Sequence, residues 1–247
     1  MMEVAHNAPA GWGLCPEGFP AYALFMLLAF GAGIGLFWFN TRNAEKPSGQ
    51  LFPIVFAALI GGLIGAKLPV VLLNLRHGFS WEALLAGRTI AGGLVGGTLG
   101  VLLVKKRLGI EGRYGNRLAA PIAIGMAVGR MGCLLHGCCF GKPTALPWGL
   151  DFGDGIARHP TQLYELLFCL AAFAILQLPR NRNAPGGNQL TGFFLAYFVF
   201  RFAEEFLRPH PIQAGLTTFQ WICLAGILIL LGKARILRPK ESPDVRP

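Results

Sequence analysis

The chain has few charged residues. Asp, Glu, Lys and Arg make up 14% of its 247 residues, whereas 53% are hydrophobic and the mean hydropathy is +0.52. Soluble domains usually carry about 25% charged residues. The composition therefore excludes a soluble enzyme and predicts an integral membrane protein.

Acidic residues are too few to balance the basic ones. The chain has 22 Lys and Arg against 12 Asp and Glu, which gives a net charge of +10. In a soluble domain such an excess would suggest binding to nucleic acid. Here the basic residues fall mostly in short gaps between apolar runs, which is typical of membrane topology. We therefore expect no nucleic-acid partner.

Cysteine is also sparse, and Lys and Arg are absent from the first 20 positions. The six cysteines do not indicate a disulfide framework, since Cys15, Cys169 and Cys223 are scattered along the chain. A secretory signal peptide begins with a positively charged segment, and none precedes the first apolar run near Ala21. We expect no cleavable signal, so this run remains in the mature protein.

Seven apolar runs are long enough to cross a hydrocarbon layer about 30 Å thick. They lie at about 21–39, 51–75, 89–104, 118–136, 161–178, 190–208 and 216–232. Their length and the lack of period-two alternation exclude a fold of buried strands. The sequence predicts an all-α integral membrane protein, a single domain over 1–247 with seven transmembrane helices. The third run is glycine-rich, which favours close backbone packing, and we expect it inside the bundle.

The basic residues predict the orientation in the membrane. Fourteen Lys and Arg lie in four alternate segments, which are 40–50, 105–117, 179–189 and 233–247. Only four lie in the opposite segments, which are 1–20, 76–88, 137–160 and 209–215. Because Lys and Arg are retained in cytoplasmic loops, we expect the N-terminus outside and the C-terminus in the cytoplasm. The outer loop at about 137–160 is rich in Gly and Pro and is expected to be irregular, with the chemistry near its ends.

Ionisable side chains within the apolar runs are the first functional candidates, because each costs several kcal/mol there unless it has a partner or a ligand. Arg201 and Glu205 are four residues apart and can pair on one helix face. This pair is either structural or part of an anion site. Arg208 lies on the same face and Arg130 in the outer half of the fourth run, so three guanidiniums can converge on one phosphate. A phospholipid head group is the expected source of that phosphate.

The fifth run begins at His159-Pro160, since proline suits the first turn of a helix. One interpretation of this segment is a helix start with an interfacial aromatic residue. The other is that Gln162, Tyr164 and Glu165 orient the arginines or a lipid glycerol by hydrogen bonds. Tyr22 taken alone would be structural.

The segment from Gly129 to Gly141 is the densest constellation, with Cys133, His136, Cys138 and Cys139 within seven residues. These side chains can bind zinc or copper, or form a disulfide or exchange pair at the two adjacent cysteines. A thiolate activated by a neighbouring arginine or histidine is a third interpretation. Packing at a crowded helix end is the fourth.

Several strings resemble the signatures of the bacterial prolipoprotein diacylglyceryl transferases. They are Gly87 to Gly96 (GRTIAGGLVG), Gly129-Arg130, Arg158 to Glu165 (RHPTQLYE) and Arg201 to Arg208 (RFAEEFLR), together with Tyr22. Those enzymes are seven-helix inner-membrane proteins that move a diacylglyceryl group from phosphatidylglycerol to the lipobox cysteine of prolipoproteins. The resemblance covers nearly the whole chain.

The resemblance implies the same transfer here, in a multi-pass protein of the bacterial cytoplasmic (inner) membrane. Its partners would be phosphatidylglycerol, the prolipoprotein signal peptide with its lipobox, and membrane lipids, with no cofactor or metal. Arg130 and Arg201 would be catalytic. The substrate-binding residues would be Tyr22, Gly92, Gly93, Gln162, Tyr164, Glu165, Glu205 and Arg208.

The chain departs from the family pattern in the catalytic centre. Ala91 stands where the family has His, Cys133 and His136 stand at two Asn positions, and Cys138 stands at a Glu position. We expect His136 or His159 to take the proton of the acceptor thiol, or Cys133 or Cys138 to attack the lipid first. There are two alternatives. The chain is a transferase that uses another acceptor, or it is a membrane thiol-redox or metal-binding protein on the same scaffold.

Overall fold

The computed structural model describes residues 21–41, 51–77, 89–110, 115–178, 189–210 and 212–236. These ranges contain seven α-helices, so the prediction of a mostly helical fold is confirmed. They are α1 (Ala21–Thr41), α2 (Leu51–His77), α3 (Ile90–Leu108), α4 (Gly115–His136), α5 (Thr161–Gln177), α6 (Gln189–Glu204) and α7 (Thr218–Ile236). Cys15, Gly87, the C-terminal tail and many of the basic residues used for the orientation lie outside the described residues.

Three of these helices are long and apolar enough to cross a membrane: α1 over Tyr22–Asn40, α2 over Phe52–Pro69, and α4 over its whole length. Shorter apolar helices occur at Thr161–Gln177 and Thr218–Gly232. Large apolar side chains are exposed on α1 and α2, including Leu27, Trp38 and Phe52 at more than 70% of their surface. Water would disfavour such a surface, whereas lipid chains solvate it.

Glycines bring α2 and α3 into backbone contact. A Cβ added at Gly96 would lie 2.7 Å from the Gly65 Cα atom, and one added at Gly92 would clash with the Gly65 carbonyl. Gly61 and Gly100 approach each other in the same way. We call these five residues the glycine seam. The predicted close packing of the third apolar run is therefore confirmed.

The position predicted for this run inside the bundle holds at its start, where Ala91 and Gly92 are buried and Leu94 and Val95 pack against the core of α6 and α7. It fails further along, where Leu99 and Leu103 are about half exposed. The glycines of α3 lie against α2, and the exposed leucines beyond this contact suit lipid.

Small residues also join α1 to α4. Cβ atoms added at Gly33 and Gly125 would lie 3.3 Å and 3.2 Å from the carbonyl oxygens of Pro121 and Ala29. A second core, rich in aromatic rings, joins α6 and α7 and includes Phe193, Phe194, Tyr197, Phe198, Cys223 and Leu230. Since α4 also packs on α5 and α6, it is the central helix of the described part.

The outer loop is more regular than the prediction of an irregular segment. Two short strands, β1 (Leu150–Asp151) and β2 (Ala157–Arg158), pair in antiparallel fashion. The turn between them forms because the Asp151 carboxylate accepts hydrogen bonds from the backbone N–H groups of Gly153 and Gly155. The fully buried Phe152 stacks on Phe140 with ring centroids 4.9 Å apart. A second hairpin, β3 (Ile212–Gln213) and β4 (Leu216–Thr217), precedes α7.

Candidate functional site

Six charged side chains from three helices and the turn that follows the last of them meet in the interior of the described chain. Arg130 comes from α4 and Glu165 from α5, and the others come from α6 and the turn that follows it. All six are buried, and we call them the charged cluster: Arg130, Glu165, Arg201, Glu204, Glu205 and Arg208.

Glu165 lies at the centre of the charged cluster. Its Oε2 atom is 2.6 Å from the Nη2 atom of Arg130 and 3.4 Å from Nη2 of Arg208. The Tyr197 hydroxyl donates a hydrogen bond of 2.7 Å to the other oxygen, Oε1. One fully buried carboxylate therefore fixes two guanidiniums that come from different parts of the chain.

Helical spacing creates the second part of the cluster at the end of α6. Arg201 forms ion pairs with Glu205 four residues later and with Glu204, whose Oε2 atom is 3.5 Å away. The Nη2 atom of Arg208 lies 3.4 Å from the same Glu204 oxygen. The helix tightens into a 3₁₀ turn over Glu205–Leu207, so Arg208 reaches back toward the carboxylates of Glu204 and Glu165.

Glu205 is held from the far side by the hairpin before α7. Its Oε1 atom lies 2.6 Å from Nδ1 of His210 and accepts a hydrogen bond of 2.9 Å from the Thr217 hydroxyl. The Thr217 backbone N–H donates to Gln220 Oε1, and the Gln220 N–H donates to the Thr217 hydroxyl, so the start of α7 is capped reciprocally. The hairpin thereby locks the carboxylate that pairs with Arg201.

Three buried polar atoms of the charged cluster have no hydrogen-bond partner among the described residues. They are Nε of Arg130, Nε of Arg208 and Oε1 of Glu204. An unpaired buried donor costs about 1–3 kcal/mol, and more when it is charged. Both arginines pair with the same Glu165 oxygen through Nη2, and each keeps one Nε–H group that an anionic ligand such as a phosphate can accept from.

The three clustered cysteines lie next to Arg130, where α4 ends. Their Sγ atoms are all within 4.8 Å of one another, and those of Cys138 and Cys139 are 3.7 Å apart. The Nη1 atom of Arg130 is 3.9 Å from Sγ of Cys133. The start of α5 fixes this segment, because Gln162 donates to the Cys138 carbonyl and Thr161 to the Cys139 carbonyl.

The loop cysteines differ in acidity. Hydrogen bonds with Cys133 and Cys139, together with burial, raise the pKa of the Cys138 thiol. Hydrogen bonds from Cys133 and Cys138, together with the positive charges of Arg130 and Arg208, lower the pKa of the Cys139 thiol well below its usual value. Cys139 is therefore the thiol of the two that loses its proton first.

The remaining predicted residues form separate groups. His136 is exposed at the end of α4, with its ring 5.9 Å from that of Tyr22. His159 Nδ1 lies 3.2 Å from the Tyr164 hydroxyl, which also accepts a hydrogen bond from Trp148. Gly92 and Gly93 lie against α2, where Gly92 belongs to the glycine seam. Their roles in catalysis and substrate binding stay predictions.

The sequence analysis missed three side chains of this region, whereas Glu204 was among its first candidates as an ionisable residue within an apolar run. Tyr197 lies four residues before Arg201, so helical spacing could have included it. Thr217 and His210 bind Glu205 from a hairpin. No local pattern in the sequence indicates that contact, because it depends on how the chain returns after α6.

Comparisons with known proteins agree on one family. A family model described as prolipoprotein diacylglyceryl transferase matches residues 13–234. A protein of Nitratidesulfovibrio vulgaris (strain DP4) named phosphatidylglycerol–prolipoprotein diacylglyceryl transferase is 33% identical, over 93% of this chain and 92% of its own length. Proteins of the same name from Methylococcus capsulatus and Geobacter sulfurreducens are 35% and 32% identical, over 82% and 87% of this chain and 84% and 87% of their own lengths.

Proposed function

The chain belongs to the prolipoprotein diacylglyceryl transferase family, and from this premise we propose that it transfers the diacylglyceryl group of phosphatidylglycerol to the lipobox cysteine thiol of a prolipoprotein. The substrates are those printed in the names of its relatives. We further propose that it crosses the bacterial cytoplasmic (inner) membrane seven times as a single domain, with the N-terminus outside. The asymmetry of the basic residues supports this orientation.

The observation that carries the proposal is the pair of unpartnered Nε atoms on Arg130 and Arg208. The charged cluster contains three arginines and three glutamates, so its formal charges cancel, and a monoanion is attracted by the unpaired N–H donors rather than by a net positive charge. The phosphodiester of phosphatidylglycerol carries one negative charge. It would accept hydrogen bonds from the two Nε–H groups and remove their desolvation penalty.

The proposed reaction is a displacement at the glycerol carbon that bears the phosphate. The acceptor thiolate attacks this carbon, a C–S bond forms and the C–O bond breaks, so its electron pair leaves with glycerol phosphate. Negative charge grows on the departing phosphate, and Arg130 and Arg201 stabilise it in a site from which bulk water is excluded. Glu165 and Glu205 position these two arginines.

The acceptor thiol must lose a proton before the attack. His136 and His159 are the imidazoles nearest the two ends of the outer loop, and an imidazole nitrogen can accept the proton as a general base. His159 is already oriented by the Tyr164 hydroxyl at 3.2 Å. Phosphatidylglycerol would bind through the arginines, which Glu165 orients, while the buried Gln162 holds the adjoining loop by its hydrogen bond to the Cys138 carbonyl.

The proposal is tested with purified protein in detergent that contains phosphatidylglycerol, a lipobox peptide and mass detection of the thioether-linked product. Arg201→Ala is expected to lower the rate by roughly 10²–10³-fold, as when one preorganised charge donor is removed from an active site. Arg158→Ala is the matched control, since Arg158 pairs with Asp154 in the outer loop, outside the charged cluster. Folded wild-type protein that yields no product, or an Arg201→Ala variant at the wild-type rate, would contradict the proposal.

A further inference from the structure

In the proposed transfer the acceptor thiol attacks the lipid directly, and this route gives the three clustered thiols no role of their own. We propose that Cys133, Cys138 and Cys139 form a binding site for one thiophilic metal ion, Cu(I), held by three sulfur atoms. This inference goes beyond the transferase function and does not rest on it. Binding of the ion can be measured without lipid or peptide.

The first argument is the geometry of the sulfur atoms. Metal–thiolate bonds are about 2.3 Å long, so three sulfurs in a plane around one ion lie about 4.0 Å apart. The three Sγ atoms are already within 4.8 Å of one another, and one pair is 3.7 Å apart. Small side-chain rotations that move the Sγ atoms by up to about 1 Å bring them to the spacing of about 4.0 Å that bonding to one ion requires.

The second argument is that the backbone is fixed in this arrangement. The Cys138 N–H donates to the Cys133 carbonyl at 3.1 Å. The Gln162 side-chain amide donates to the Cys138 carbonyl at 2.6 Å, and the Thr161 hydroxyl donates to the Cys139 carbonyl at 2.7 Å. Cys139 has a φ of 66°, a conformation that non-glycine residues rarely adopt and that persists only where the surroundings impose it. The ligands are therefore held together before an ion arrives.

The third argument is charge. Three thiolates around a monovalent cation carry a net charge of −2, which requires positive charge nearby. Arg130 supplies one positive charge, since its Nη1 atom is 3.9 Å from Cys133 Sγ while its Nη2 atom pairs with Glu165. Each thiol releases one proton to solvent when the ion binds, and the oxidation state of the copper does not change.

The donor set decides which ion is favoured. Soft thiolate ligands select Cu(I), zinc or iron–sulfur clusters. Structural zinc is almost always four-coordinate, and among the described residues the group contains only these three cysteines and no further His, Asp or Glu. Cu(I) is satisfied by three sulfurs, so the site fits it better than zinc.

The test uses the full-length protein in detergent, reduced and kept without oxygen. It is titrated with Cu(I) against a coloured Cu(I) chelator, and the bound ion is examined by X-ray absorption. We expect one equivalent per chain and three sulfur scatterers at about 2.3 Å. The variants Cys133→Ala, Cys138→Ala and Cys139→Ala each remove a ligand and should weaken Cu(I) binding at least about 100-fold. Loss of a residue that only hydrogen-bonds to a metal ligand already lowers metal affinity about 10–100-fold.

The matched controls are Cys169→Ala and Cys223→Ala. Both cysteines are fully buried between helices and lie outside the group of three clustered cysteines. They should leave the affinity unchanged. If a ligand variant fails to fold, the wild-type protein is treated with an alkylating reagent with and without Cu(I). The proposal then requires that Cu(I) protects all three clustered cysteines from alkylation. Binding below one equivalent, an ion with oxygen or nitrogen neighbours, or unchanged affinity in folded Cys139→Ala protein would overturn the proposal, whatever the result of the transferase assay.

Discussion

The glycine seam and the charged cluster hold helices together by opposite means. In the seam, glycines remove side chains so that α2 and α3 touch through their backbones. In the cluster, six charged side chains join α4, α5 and the end of α6. Lipid tails are as apolar as leucine, so burying leucine does not drive helices together in a membrane. Close backbone contact and polar bonds are two contributions that remain, and this chain uses each in a different place.

The two regions also differ in what a substitution leaves behind. A residue added to the seam meets backbone atoms that cannot rotate away. A residue removed from the cluster leaves a buried charge without its partner. The seam therefore tolerates no gain in volume, whereas the cluster tolerates no loss of charge. The following predictions test this contrast.

The largest effect on stability is expected in the charged cluster. Glu165→Ala leaves the buried guanidiniums of Arg130 and Arg208 without their shared carboxylate, and breaking a buried pair in this way costs about 3–5 kcal/mol. The measurement is the free energy of unfolding in detergent micelles. Arg158→Ala, in an ion pair that is partly exposed, should stay within about 1 kcal/mol. Equal losses in the two variants would show that the cluster is not held by its charges.

A smaller loss is expected in the glycine seam. The Cβ of Gly96→Ala would lie 2.7 Å from the Gly65 Cα atom, so the helices must separate, and overpacking costs about 1–3 kcal/mol. Gly31→Ala on α1 is the control, because nothing lies within 4 Å of its added Cβ. This control should be neutral or slightly stabilising, since alanine is the better helix former. A thermal midpoint of Gly96→Ala at or above that of Gly31→Ala would refute the role of the seam.

The smallest effect is expected at the exposed ion pair of the outer loop. Arg158 donates to the Asp154 carboxylate at 2.6 Å and lowers the pKa of that carboxyl. A lowered folded pKa means that the stabilisation is present above the ordinary carboxyl pKa and is lost as the pH falls through the lowered value. The midpoint of wild type should exceed that of Asp154→Asn slightly at pH 7, and the two should converge in acid. A difference that grows as the pH falls would contradict this sign.

Several features were predictable from local pattern alone. The apolar runs predicted the positions of the seven described helices, because an α-helix satisfies every backbone hydrogen bond of an apolar segment within that segment. The pairing of Arg201 with Glu205 followed from the four-residue spacing, and the structure forms it. The family predicted from the RHPTQLYE and RFAEEFLR strings is confirmed by the match over residues 13–234.

Other features could not be derived in this way. The prediction that the third apolar run lies inside the bundle holds at the start of α3 and fails at Leu99 and Leu103, because composition shows that glycines favour contact but not how many neighbours share it. The hairpin of the outer loop depends on Asp151 capping a turn whose strands are only two residues long. Such short strands leave almost no periodic signal in a sequence.

The sequence by itself determined the helical class, the family and most of the side chains that form the charged cluster, because hydrophobic run length and i, i+4 spacing act within one helix. Only the tertiary structure decided that Glu165 joins Arg130 to Arg208, that the three sulfur atoms lie within 4.8 Å of one another, and that Thr217 reaches Glu205. These contacts join residues from separate elements. Their geometry depends on how whole helices pack, and no local pattern encodes that.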